Sequence, residues 1–193
     1  EAEAISTLTY TGKRATRQAF FENAPSAKWL HLSTHGYFDV TDPMRSYIEL
    51  ADGPLYASEI KDGPRLNADL VVLSACDSGR NKVLGGDEPM GLIRAFMMAG
   101  ASSVLVTLWP VDEVATRVLM ENFYTYLRSG NDPARSLALA QHRLRHMMQA
   151  ELPAELSRPG LPKGKISEIV AVADDPDRPF AHPYWWAGFV LVT

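Results

Sequence analysis

The sole thiol of this sequence, Cys76, and one of its five histidines, His35, each follow directly on an apolar run that reads as a buried strand. A thiol of ordinary pKa, about 8.5, is mostly protonated near neutrality. A neighbouring imidazole can accept its proton or stabilise the thiolate, and can later protonate a leaving amine. The tetrahedral intermediate of acyl transfer needs hydrogen-bond donors for its oxyanion. The backbone N–H groups of Gly36 and Cys76 are candidates, and Gly36 has no side chain to obstruct an approaching carbonyl. Taken alone, an unpaired cysteine is more often a small buried hydrophobe, and a histidine at a strand end is often an ordinary surface residue.

The elements around the pair decide whether they can meet. Residues 14–24 read as an amphipathic helix closed by Pro25. Residues 28–34 (KWLHLST) and 68–75 (ADLVVLSA) read as buried strands, the second almost wholly apolar, as a strand covered on both faces should be. Residues 47–51 read as a short strand turned by Asp52-Gly53, and Ser58-Glu59-Ile60 as part of a short helix. A glycine-rich stretch over 79–87 reads as a mobile, substrate-facing loop. Residues 88–99 then read as a helix with Pro89 in its first turn and Gly100 as its stop. Residues 102–109 read as a third core strand. Residues 114–129 and 133–150 read as two long helices, the second opened by Asp132-Pro133. Residues 151–182 read as a surface excursion and 185–192 as a last strand.

Buried strands alternating with helices argue for an α/β fold with a mainly parallel sheet and helices on both faces. No internal repeat or domain boundary stands out across 1–193. In such sheets ligands bind at the carboxyl ends of the strands. If strands 28–34 and 69–75 are parallel neighbours, about 5 Å apart, His35 and Cys76 emerge side by side.

Composition narrows the classes. The 193 residues suit one α/β domain, with 46% hydrophobic and 22% charged residues. A net charge of -4 supplies no positive field for nucleic acid, so no nucleic-acid partner is expected. One cysteine excludes an intrachain disulfide and a paired-cysteine zinc site. It also fits a reducing compartment, which makes a cytoplasmic location the expectation. No run approaches the roughly 18 apolar residues of a membrane helix, so no membrane partner is expected. No cofactor or metal is called for. The start at Glu1, without an initiator Met or signal peptide, reads as a piece of a longer protein.

The remaining polar residues carry two readings each. Asp77 follows the thiol and either lines a pocket for a basic residue or fixes the turn as a loop carboxylate, the commoner use. Asp87 and Glu88 suit the start of the following helix. Asp112 and Glu113 follow the third strand; Asp112 either lines the substrate pocket or N-caps the next helix. His31, four residues before His35 on the strand, reads as a core histidine. His142 and His146, one helical turn apart, read as a solvated helix face, and His182 as an anchor of the last strand. Trp109, Trp185 and Trp186 read as core.

Two stretches resemble known motifs. Leu30 to Phe38 (LHLSTHGYF) is similar to the histidine motif of the CHAT-domain family, and Val71 to Gly79 (VVLSACDSG) to its cysteine motif. The resemblance continues in family order through residues 49–55 (ELADGPL), 86–92 (GDEPMGL), 100–104 (GASSV), 108–112 (LWPVD) and 182–189 (HPYWWAGF). It covers nearly the whole chain. It implies a caspase-like three-layer α/β sandwich related to caspases and separases, and a cysteine endopeptidase acting on protein or peptide substrates. By the same resemblance His35 is the general base and acid, Cys76 the nucleophile, and Asp112 occupies the place of an acidic specificity residue in separases. The resemblance also implies a regulatory region before this domain, such as tetratricopeptide repeats. Two departures stand out: the family's first strand is absent or precedes residue 1, and 151–182 is longer than the core pattern requires.

Three functions compete. The first is an endopeptidase that cuts selected protein partners. The second is an inactive peptidase-like module used for interaction or scaffolding. The third, a nucleotide-binding α/β domain, lacks a G-x-G-x-x-G or phosphate-loop pattern after any strand.

Overall fold

A computed structural model describes residues 8–74, 90–152 and 165–193. The chain divides into two compact units, one running as far as Pro110 and taking in Phe189–Thr193, the other comprising Val111–Gly188.

The first unit is mixed α/β. Helix α1 (Arg17–Asn23) precedes strand β1 (Trp29–Ser33). Three short strands follow, β2 (Gly36–Tyr37), β3 (Tyr47–Leu50) and β4 (Gly53–Tyr56), then helix α2 (Ala57–Asp62). Strand β5 (Leu70–Ser74), helix α3 (Met90–Ala99) and strand β6 (Val104–Thr107) come next, and β7 (Phe189–Val192) closes the unit.

The main sheet has the order β1-β5-β6-β7. The pairs β1–β5 and β5–β6 are parallel, and β7 is antiparallel to β6. This is the expected fold class, a mainly parallel sheet with helices packed on it, consistent with a caspase-like sandwich. Leu70, Val71, Val72 and Leu73 are all buried, as the unbroken apolar run of β5 required. On one face Leu30, Leu32, Val71, Leu73, Val104 and Val106 pack into a core with Phe20 and Phe21 of α1, Ile60 of α2 and Phe96 of α3.

The second sheet, antiparallel in the order β2-β3-β4, was not anticipated beyond a single strand and turn. Its alternation is compressed into four-residue strands: Ile48 and Leu55 are fully buried, while Tyr47, Glu49 and Tyr56 point to the other face. Arg17 grips this hairpin. Its guanidinium binds both carboxylate oxygens of Glu59 on α2 and the Pro54 carbonyl. The same Glu59 accepts the Tyr56 N–H at 3.1 Å, and Arg17 holds its carboxyl below the usual range.

In the second unit, α4 (Glu113–Arg128) and α5 (Pro133–Arg145) pack against each other, and α6 (Lys165–Val172) follows.

Several element boundaries differ from expectation. Helix α1 starts at Arg17 rather than residue 14, because Gly12 adopts φ +52 and the Thr16 hydroxyl caps the Ala19 N–H. Helix α5 stops at Arg145 rather than 150. There Glu151 caps the Met148 N–H at 2.7 Å and pairs with Arg143, which favours a separate 3-10 turn over Gln149–Glu151. The excursion over 151–182 contains α6, whose Ile169 is buried, and it buries Phe180 completely. The last strand starts at Phe189 rather than residue 185, after a 3-10 turn over Pro183–Trp185 in which the His182 ring nitrogen accepts the Tyr184 N–H at 3.1 Å. The expected loop over 79–87 lies outside the described residues.

Candidate functional site

Strands β1 and β5 are direct parallel neighbours, with Trp29 opposite Leu70 and Ser33 opposite Ser74. The Thr34 N–H prolongs the pairing by donating to the Ser74 carbonyl at 3.3 Å. His35 follows at the carboxyl end of β1 and is exposed. Cys76 and Asp77, the nucleophile and pocket candidates, lie outside the described residues, as do Asp87 and Glu88. In the sequence Cys76 stands two residues after Ser74, as His35 stands two after Ser33.

The backbone of His35 is fixed by the second sheet. The Glu49 N–H donates to the His35 carbonyl at 2.8 Å, and the Thr34 hydroxyl donates to the Glu49 carbonyl. His35 and Glu49 therefore form a hydrogen-bonded antiparallel pair that continues the β2–β3 register. Alternation makes the next pair, Gly36 and Ile48, a non-hydrogen-bonded one, so the Gly36 N–H is directed away from β3. A backbone donor beside the histidine and outside the ladder is what an oxyanion site requires.

The same alternation places His35, Tyr37, Tyr47 and Glu49 on one face and Ile48 with Leu55 on the buried face. Tyr37 stacks on Tyr47, with ring centroids 5.2 Å apart and 23° between planes, and Tyr47 meets Tyr56 edge-on at 5.4 Å. Thr34, Tyr47 and Glu49, which surround His35, were not singled out from the sequence. The signal was present in the Tyr-Ile-Glu-Leu alternation of 47–50, but nothing local revealed that this strand pairs with the segment after His35.

Asp112 is the N-cap of α4: its carboxylate accepts the Val114 N–H at 2.8 Å and the Ala115 N–H at 3.1 Å. Glu113 is the first residue of that helix, where a carboxylate complements the dipole. His31 lies on the opposite face of β1 from Leu30 and Leu32, directly across from Val72. Burial lowers its pKa to about 4, and its Nε2 is closed to solvent. The His142 and His146 rings lie 4.2 Å apart, tilted by 32°, and among the described residues no group of three ligating side chains forms around them or elsewhere. No described helix is long and apolar enough to cross a membrane.

The family model for the CHAT domain matches residues 1–193. The chain is 31% identical over 128 residues to tetratricopeptide repeat protein 28 of Mus musculus, and 30% identical over 138 residues to that of Homo sapiens. These alignments take in 66% and 72% of the chain but 4% of each relative, so the chain spans only a small fraction of their length.

Proposed function

This chain belongs to the CHAT-domain family, a caspase-like peptidase family, and on that premise we propose that it is a cysteine endopeptidase working through His35 and Cys76. The observation that carries the reading is the parallel register of β1 and β5, whose last pair precedes both residues by the same interval. In this scheme the His35 imidazole takes the Cys76 proton and the thiolate attacks the scissile carbonyl. The Gly36 and Cys76 N–H groups hold the oxyanion. The C–N bond breaks as the imidazolium gives its proton to the leaving amine, and water then hydrolyses the thioester with His35 as base.

The natural substrate is a protein or peptide. Asp77, Asp112 and Glu113 are the candidate carboxylates for a basic residue before the cut. The two relatives are named for tetratricopeptide repeats, and we propose that such repeats precede this domain in the full-length protein and regulate it. We place the protein in the cytoplasm on the strength of its single thiol.

A second reading, an inactive module for interaction, draws on the same relatives, which are named for their repeats rather than for an activity. A peptide electrophile separates the two. Labelling at Cys76 that is lost in His35→Ala supports the peptidase; a folded protein that no electrophile labels supports the module.

A further inference from the structure

Resting on that reading, we propose that the face carrying Tyr37, Tyr47 and Glu49 binds the side chain of the residue after the cut, and that this side chain is the guanidinium of arginine.

His35 protonates the leaving amine, so the residue that begins with that amine lies against the imidazole. The next side chain on the same face of the strand is Tyr37, about 7 Å further on at strand rise. Tyr37 is 40% exposed, and its ring is held in place by stacking on Tyr47. A ring so backed presents one immobilised aromatic face, which attracts a planar cation. Glu49 stands opposite His35 and two residues from Tyr47 on the same face, exposed, and it makes no ion pair among the described residues. The ion pair beside the Tyr56 end of this sheet, Arg17 of α1 with Glu59 of α2, is already mutually neutralised. The face therefore offers, side by side, an aromatic plane and a carboxylate that has no ion pair among the described residues. A guanidinium satisfies both at once, stacking on the ring while donating to the carboxylate. The ammonium of lysine, a strongly hydrated point charge, stacks less well.

Two arms test this and keep it distinct from the peptidase reading. In the first, fluorescence polarisation follows labelled Gly-Gly-Xaa-Gly-Gly peptides, with Xaa Arg, Lys, Leu or Glu, binding to the Cys76→Ala protein. Arg should bind about 10-fold tighter than Glu, the scale of an exposed cation–π contact and ion pair together. Tyr37→Ser and Glu49→Gln should each erode that advantage. In the second, a peptide library cleaved by the otherwise unaltered protein should show Arg enriched after the cut, and the enrichment should vanish in Glu49→Gln. Leu binding as tightly as Arg, or an Arg advantage untouched by both variants, overturns the proposal. Binding of Arg peptides without any cleavage leaves this site standing and removes the peptidase. Cleavage indifferent to the residue after the cut removes this site alone.

Discussion

Ser33 and Ser74 face each other across the parallel pair of β1 and β5, and the Thr34 N–H reaches the Ser74 carbonyl one step beyond them. Parallel neighbours in an α/β sheet deliver their carboxyl ends to one edge, where such folds bind ligands. The edge is stiffened from the other side, because Glu49 and Thr34 tie the chain at His35 to β3 through two backbone carbonyls. The histidine thus sits where two sheets share one stretch of chain.

Cys76→Ala should abolish peptide cleavage while leaving the fold unchanged, and His35→Ala should slow cleavage at least about 100-fold, the lower end of general acid–base contributions. Thermal melts and cleavage rates on a common peptide check both. A folded Cys76→Ala protein that still cleaves at the original rate would remove the nucleophile assignment.

Gly91→Ala should destabilise the protein. In an exposed helix this change stabilises by about 1 kcal/mol. Here a Cβ would run into the Pro43 carbonyl oxygen and lie 2.8 Å from its carbon, both backbone atoms that cannot swing aside. Overpacking of this kind costs about 1–3 kcal/mol. The sign of the change in urea midpoint decides: a rise would mean that α3 does not approach the Pro43 turn this closely.

What the sequence disclosed depended on how local the signal was. The apolar run Leu70 to Leu73 announced a central strand, and Asp132-Pro133 announced a helix start, because each needs only its own residues. The pairing of Gly36 with Ile48 was hidden, since a two-residue strand carries no periodicity and its partner lies across a loop. Phe180 was hidden too, surrounded as it is by prolines and charges that read as surface, although it is fully buried. At the site, the residue types of His35 and Cys76 were legible, as was the place of His35 after β1. The orientation of the Gly36 N–H was not, because it follows from the hydrogen-bond phase of a sheet rather than from any neighbour in the chain.

Asp112 is a helix cap and a proposed recognition residue, and a pair of substitutions can separate the two roles. Asp112→Ala removes the acceptor for the Val114 and Ala115 N–H groups and should cost about 1 kcal/mol of stability. Asp112→Asn should restore most of it, because asparagine caps as well as aspartate. Cleavage after Arg that falls in both variants would identify the charge with recognition. Cleavage that recovers with Asn would leave Asp112 a helix cap.

His31 gives the protein an acid-sensitive element away from the proposed chemistry. Its folded-state pKa is lowered from 6.5 to about 4 because burial disfavours the charged ring. The unfolded chain therefore takes up a proton at higher pH than the folded one does. The stability associated with the neutral ring is present above about pH 6.5, declines as the pH falls below that, and is fully lost below about pH 4. Between pH 7 and pH 5 the loss amounts to about 2 kcal/mol from this group. Urea unfolding of the original protein and of His31→Leu at both pH values measures it. Carboxylates such as Glu59, whose pKa is lowered by Arg17, contribute equally to both proteins and cancel in the difference. His31→Leu should lose less stability on acidification, and an identical loss in the two proteins would show that His31 is not the residue that resists its proton.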